Sequence, residues 1–127
     1  MRLGNWQLDS LNGGRIRLDG GVMFGVVPRV LWQRIVQADQ RNRVQCVNRC
    51  LLARDGRHTV LVDTGYGDKY SRLDRAFYDM EEGHPLLDSL SVLGVAPEQI
   101  DTVIFTHLHF DHVSGATRMD GTGERVL

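Results

Sequence analysis

Four side chains with metal-binding chemistry lie within six residues of the sequence HLHFDH: His107, His109, Asp111 and His112. They include three of the five histidines in the chain. Neutral imidazole and carboxylate are good ligands for borderline divalent metals, zinc foremost. Four such residues are more than a three-ligand catalytic site needs from one loop, which favours two metals lying close together. Solvated or core histidines would not be expected at this density.

The residues before this cluster explain how it could be positioned. Residues 103–105 are wholly apolar, and a strand buried on both faces has this composition. The cluster would therefore begin a loop at the C-terminal end of a buried strand. In open α/β sheets, ligands bind at such ends.

The spacing within the loop predicts which side chains share a face. Alternate residues of an extended segment point the same way, and three of the candidates are two apart: His107, His109 and Asp111. Leu108 and Phe110 would then point into the core. His112 breaks the alternation and can join the others only if the chain turns, which the following Val-Ser-Gly permits.

Upstream, the pattern predicts short strands with tight turns. Asn12-Gly13-Gly14 between alternating apolar residues indicates a hairpin. Pro28 suits the start of a short helical turn. Residues 43–54 and 58–63 are predicted as antiparallel strands joined at Asp55-Gly56. Two cysteines four residues apart in the first of these strands are too far apart for a disulfide, about 13 Å, and are expected to be buried free thiols.

After Asp63 the apolar period changes to three and four residues. Two amphipathic helices are predicted, and their apolar positions are Tyr70, Leu73, Phe77 and Met80 in the first and Leu86, Leu87, Leu90 and Leu93 in the second. Gly94 and Pro97 end the second helix. Strands followed by helices and a buried strand indicate an α/β fold, a sheet covered by helices.

The motif resembles a known family. HLHFDH fits the His-x-His-x-Asp-His motif of metallo-β-lactamase-fold hydrolases, and VLVDTGYGD resembles the strand and turn before that family's first helix. The segment LGVAPEQIDTVIFT is similar to its lead into the metal loop. The resemblance covers about residues 6–115. It implies the N-terminal half of an αββα sandwich, with a mixed, largely antiparallel sheet, so that residues 1–127 are a single partial domain without an internal boundary.

The resemblance also assigns roles. His107 and His109 would bind the first metal, and Asp111 and His112 the second. Asp111 would be the catalytic residue that orients the water or hydroxide between the metals. Asp63 would hold the loop through hydrogen bonds without touching a metal, although an Asp at this position is by itself an ordinary turn residue. The cofactor would be zinc, two ions per intact chain, with iron or manganese as alternatives.

The sequence departs from the family after the motif. Members supply a third histidine to the first metal, an aspartate bridging both metals and a histidine to the second metal from well downstream. Asp120 and Glu124 are too close to the motif to be the bridging residue. The C-terminal half of the fold is expected to be needed to complete the site, and the 127-residue chain alone to be inactive.

Two classes of function follow from this. The favoured one is a zinc-dependent hydrolase acting on an ester-like bond of a small molecule, a lactone or ester first, in the lactonase and organophosphate-hydrolase branch. A glyoxalase II-like thioesterase and a phosphotriesterase are alternatives within the superfamily. The other class is a non-catalytic, truncated metal-binding or assembly module. In the favoured branch, the segment at Met23 and Phe24 approaches the pocket, although core packing is the preferred interpretation of these two side chains alone.

Composition limits the partners. A net charge of −1 argues against a general affinity for nucleic acid or membranes. No apolar run approaches the ~20 residues of a membrane span, and the first residues lack the apolar core of a signal peptide, so a cytoplasmic location is expected. An uncovered sheet face would also permit a homodimer.

Overall fold

The computed structural model describes residues 1–119 and the backbone of Glu124–Val126. Asp120 lies outside the described residues, as does the side chain of Glu124. No helix among the described residues is long and apolar enough to cross a membrane.

A five-stranded mixed sheet forms the centre of the fold. Its strands, in spatial order, are β1 (Arg2–Leu3), β2 (Trp6–Asp19), β3 (Arg43–Arg54), β4 (Thr59–Val62) and β5 (Thr102–Ile104). The first four are antiparallel neighbours, and β5 runs parallel to β4. This confirms the predicted mixed, largely antiparallel sheet. The strands β6 (Thr117–Met119) and β7 (Glu124–Val126) pair separately.

Helices connect and cover the strands. They are α1 (Gly20–Phe24), α2 (Arg29–Trp32), α3 (Arg72–Tyr78), α4 (Pro85–Val92) and α5 (Phe110–Val113), with 3₁₀ turns at Pro97–Gln99 and Ser114–Ala116. The predicted α4 is confirmed, and Gly94 follows it at φ 66°. The helix at α3 is also confirmed, but only part of its predicted apolar face is buried: Leu73 is 83% and Phe77 64% exposed, whereas Met80 is 7% exposed.

The predicted hairpin at Asn12-Gly13-Gly14 is wrong. β2 continues through these residues and pairs with β3 on both sides of an irregularity between Asn12 and Arg15. A Cβ on Gly13 would lie 2.7 Å from Cys50 Sγ, and one on Gly14 would lie 2.4 Å from the Tyr66 ring. The two glycines therefore allow close packing at a β-bulge rather than forming a turn.

The Asp55-Gly56 hairpin is confirmed, since β3 and β4 pair antiparallel on either side of it. The Asp55 carboxylate accepts hydrogen bonds from the backbone N–H groups of Arg57 and His58 at 2.8 and 2.7 Å. These bonds lower the pKa of Asp55 to about 2. Cys46 and Cys50 are free thiols, as predicted, and burial raises the pKa of Cys50 to about 12.

The core lies between one face of the sheet and α4. Leu52 and Leu61 from the sheet pack with Leu86 and Leu90 from α4. A second cluster, Ile16, Tyr66 and Met80, lies toward the loop that carries the histidines and includes the half-buried Phe110. The core therefore holds β4 and β5 in place, and with them the start of that loop.

The prediction that residues 103–105 are buried on both faces is wrong for the described residues. Leu51, Val62 and Ile104 are directly opposite one another on β3, β4 and β5 and so share a face. That face points away from α4: Ile104 is 50% and Leu51 37% exposed. One face of the sheet is packed, and the other has no covering layer among the described residues.

Candidate metal centre

The loop that carries the histidines is fixed to the sheet at both ends. At its start, the backbone N–H of Asp63 donates to the Ile104 carbonyl at 2.9 Å. At its end, the N–H of Thr64 donates to the His112 carbonyl at 2.8 Å. The turn after β4 therefore determines where both ends of the loop lie.

The chain turns at Phe110, two residues earlier than the sequence pattern predicts. His109 is still extended, at φ −73° and ψ 149°, and is the N-cap of α5, so Asp111 and His112 lie within a helix. The expected alternation through Asp111 is therefore wrong. Leu108, predicted to point into the core, is 80% exposed. Phe110 is half-buried and packs on the rings of Tyr70 and Tyr78.

The turn nevertheless brings the four candidate ligands together. The ring centroids of His107 and His109 are 4.6 Å apart, and those of His107 and His112 are 4.0 Å apart. His112 Nε2 lies 3.6 Å from Asp111 Oδ2. Residues that the sequence places in one motif thus share one site, partly exposed at the edge of the sheet.

The four side chains do not form a complete metal site by themselves. Within the described part of the chain, no group of three or more His, Cys, Asp or Glu side chains is arranged to hold a metal ion. The predicted assignment requires only two ligands per metal from this loop, His107 with His109 and Asp111 with His112. The donor types are ones that zinc accepts.

Asp63 is buried, 5% exposed, and lies at φ 57°. Its carboxylate accepts hydrogen bonds from Thr106 N and Thr106 Oγ1, both at 2.8 Å. It also lies 2.9 Å from His112 Nδ1. Burial raises the pKa of Asp63, but the hydrogen bonds from His112 and Thr106 outweigh burial and the net shift is downward. The ionised carboxylate accepts a hydrogen bond from Nδ1–H of His112, which leaves Nε2 of that ring as the nitrogen available to a metal.

Thr106 was missed by the sequence pattern. Its single hydroxyl proton is directed to Asp63, so its oxygen can only accept from His107 Nδ1, 3.1 Å away. This places a proton on Nδ1 and leaves Nε2 of His107 free, as for His112. Both rings thus have the tautomer that coordination through Nε2 requires.

Asn48 was also missed. It lies on β3, is 8% exposed, and donates from Nδ2 to Asp111 Oδ2 at 3.0 Å. A sequence signal existed, because Asn48 alternates with Cys46 and Cys50 on one face of a strand. A polar side chain on a buried face needs a hydrogen-bond partner.

The candidate ligands line an open cleft of about 890 Å³. Val22, Met23 and Phe77 supply apolar wall, while the basic side chains on the cleft are Arg17, Arg41, Arg43 and Arg49. Core packing is therefore the wrong interpretation for Met23, which is 46% exposed. Phe24 instead stacks on Trp32, with centroids 4.8 Å apart.

Sequence comparison identifies the family. A family model described as the metallo-beta-lactamase superfamily matches residues 43–123, a segment that includes both the Asp63 turn and the metal loop. The chain belongs to the metallo-β-lactamase superfamily. The resemblance predicted from the motif is thus confirmed, and with it the α/β fold of this superfamily.

Solved structures of superfamily members show the same fold. A probable metal-dependent hydrolase from Staphylococcus aureus is 33% identical, with a TM-score of 0.87 over 95% of this chain and 44% of its own. The hydrolase AbOPH is 27% identical, with a TM-score of 0.71 over 93% of this chain and 38% of its own. AidC, a dizinc quorum-quenching lactonase, is 23% identical, with a TM-score of 0.66 over 91% of this chain and 37% of its own. The AidC likeness shows the fold alone.

Among curated proteins, the cytochrome P450 monooxygenase mpaDE of Penicillium roqueforti (strain FM164) is 26% identical over 121 residues. That match covers 87% of this chain and 14% of mpaDE. The chain therefore spans less than half the length of these solved relatives and about a seventh of the curated one. It has a metal-dependent hydrolase fold, of which it covers a part.

Proposed function

We propose that this chain supplies the first half of a binuclear zinc site in a hydrolase that cleaves an ester-like bond. The observation that carries the proposal is the convergence of three imidazole rings and the Asp111 carboxylate in the lining of one cleft. In two of the rings, His107 and His112, Nδ1 is hydrogen-bonded to Thr106 and Asp63, respectively. Metal-binding histidines are commonly oriented in this way.

Each residue has a definite role in the proposal. His107 and His109 hold one metal, and Asp111 and His112 hold the other. When bound, zinc lowers the pKa of water toward neutrality and polarises the oxygen of the scissile bond. Asp111 orients the attacking water, and Asp63 keeps His112 in the required tautomer. No serine or cysteine nucleophile is needed, since Ser114 accepts a hydrogen bond from Tyr70 and Cys50 is buried.

The remaining ligands would come from a second half of the fold. The proposal assigns two side chains of this loop to each metal, whereas a catalytic zinc usually has three protein ligands. The sheet face at Leu51, Val62 and Ile104 also lacks a covering layer among the described residues. One C-terminal half-domain would satisfy both requirements. Residues 1–127 alone are then expected to be inactive.

Lactones and simple esters are the proposed substrates. The cleft is open and partly apolar at Val22, Met23 and Phe77, which suits a small organic substrate. The likeness to the hydrolase AbOPH, at 27% identity, supports a hydrolytic reaction. Thioesters and phosphotriesters remain the competing substrates of the same site.

The test is a hydrolysis screen on the protein as expressed from its gene. It compares a lactone, an aryl ester, a thioester, a phosphotriester and a β-lactam, before and after metal removal and zinc readdition. Lactone or aryl ester turnover that requires zinc supports the proposal. His109→Ala should abolish it, while His58→Ala, which alters an exposed hairpin histidine, should not. Turnover confined to the β-lactam would contradict the substrate class.

A second candidate is a metal-binding or assembly module without catalysis. The uncovered sheet face favours it, because soluble monomers rarely leave large apolar patches open and a second chain could cover this one. Intact mass and solution mass distinguish the two functions. A product of about 14.3 kDa that self-associates and binds metal without turnover would favour the module.

A further inference from the structure

Asn48 has an environment that its role in the sheet does not explain. It is 8% exposed and faces the site from β3, between the half-buried Cys46 and the buried Cys50. Its Nδ2 donates to Asp111 Oδ2 at 3.0 Å, which links β3 to the first turn of α5. The two residues are 63 positions apart, so tertiary packing alone brings them together.

The orientation of the Asn48 amide follows from its partner. An ionised carboxylate only accepts hydrogen bonds, so the NH₂ group must face Asp111 and the carbonyl oxygen must point elsewhere. That oxygen, Oδ1, is buried and has no hydrogen-bond partner among the described residues. Buried polar atoms are rarely left unpaired. Fold stability alone would therefore disfavour Asn at this position, which is a reason to seek a function for it.

The bond from Asn48 restricts the Asp111 side chain. The oxygen that it engages, Oδ2, is the same atom that lies 3.6 Å from His112 Nε2. The carboxylate of an Asp rotates readily about the Cβ–Cγ bond, and a hydrogen bond from a buried amide restricts that rotation. The relative orientation of the Asp111 carboxylate and the His112 ring thus depends on β3 as well as on α5.

We propose that Asn48 is a positioning residue for the second metal. Its amide holds the Asp111 carboxylate so that this group and His112 Nε2 present their lone pairs together. The inference rests on the proposed function, because it assigns Asp111 and His112 to one metal. It differs from the roles of Thr106 and Asp63, which act on histidines.

The experiment measures zinc affinity by competition with a chromogenic chelator, in the protein as expressed from its gene. Asn48→Leu keeps the branched shape of the side chain but removes the donor. We expect one of the two metals to bind about 10–100-fold more weakly, as for the loss of other residues that orient ligands, while the other metal is retained. Asn48→Ala, which removes the donor without adding a charge or extra volume, should give the same loss and decides the test if Asn48→Leu does not fold.

Two controls separate positioning from a general structural effect. Asn12→Leu removes an amide that donates to Glu81 at 3.3 Å, away from the metal loop, and should leave both affinities unchanged. In an Asp111→Ala background, Asn48→Leu should cause no further loss, because a residue that acts through Asp111 has nothing left to orient.

Unchanged binding of both metals in Asn48→Leu would overturn this inference and leave the proposed function standing. So would an equal further loss in the Asp111→Ala background. A wild-type protein that binds no zinc would overturn the proposed function, and this inference with it.

Discussion

Replacing Asp63 by Ala should destabilise the protein through the loop that it holds. The substitution removes the acceptor of hydrogen bonds from Thr106 N, Thr106 Oγ1 and His112 Nδ1, at 2.8, 2.8 and 2.9 Å. A hydrogen bond to a charged group contributes about 1.5–3 kcal/mol, but three bonds to one carboxylate are not additive. Ala at φ 57° adds about 1–2 kcal/mol of backbone strain. We expect a total loss of about 3–5 kcal/mol in the free energy of unfolding, as for other broken buried charge networks.

The assay is denaturant unfolding of the metal-free protein, followed by zinc titration. Asp79→Ala is the matched control, since Asp79 also has a positive φ, 48°, but its partner is the surface side chain of Arg17 at 2.8 Å. Asp79→Ala introduces the same backbone strain and removes only an exposed ion pair, so its free energy of unfolding should fall by about 1–2 kcal/mol. Asp63→Asn tolerates the same backbone and should lose less than Asp63→Ala. Equal losses for Asp63→Ala and Asp79→Ala would refute the role assigned to the Asp63 hydrogen bonds.

Three further predictions concern pH and packing. The folded-state pKa of Asp55 is lowered to about 2, so the stabilisation of the fold by its carboxylate should be fully present above about pH 4 and lost as the pH falls through 2. The free energies of unfolding of wild type and Asp55→Asn in urea should therefore converge at acid pH. A difference that stays constant with pH would contradict the shift. Hydrolytic activity should fall below about pH 6 with loss of metal, because imidazole must be neutral to bind it; activity and metal content unchanged at pH 5 would argue against histidine ligands. Leu52→Ala, at a fully buried core position, should lower the free energy of unfolding by about 2–5 kcal/mol. A decrease below about 1 kcal/mol would contradict tight packing around Leu52, because the neighbouring side chains would then have filled the cavity.

Local patterns in the sequence predicted the elements whose signals are themselves local. Asp55-Gly56 gave the β3–β4 hairpin because the turn chemistry lies in the turn residues. The four apolar positions from Leu86 to Leu93 predicted α4, whose buried face packs on the sheet. The grouping of His107 with His109 and His112 followed from their separations of two and five residues within one motif and needed no long-range information.

The errors occurred where distant residues decide the outcome. Gly13 and Gly14 have the local signature of a turn, but Cys50 and Tyr66 occupy the space beside them, and a bulge results. The end of the extended segment at His109 depends on Phe110 packing against Tyr70 and Tyr78.

The exposure of the sheet and the supporting residues of the site also needed the structure. An apolar composition cannot show whether both faces of β5 are covered, and among the described residues Ile104 is half-exposed. Thr106 becomes recognisable only when the fold brings it to His107. The alternation along β3 could mark Asn48 as a buried polar residue, but only the fold shows that its partner is Asp111.

The central claim is that the loop from His107 to His112 holds metal in two pairs of ligands. Elemental analysis of the protein as expressed from its gene, after zinc loading and removal of excess metal, tests it most directly. We predict close to two zinc ions per chain, with loss of metal in both His107→Ala and Asp111→Ala and no loss in His58→Ala. Absence of metal in the purified protein and again after zinc addition would contradict the claim.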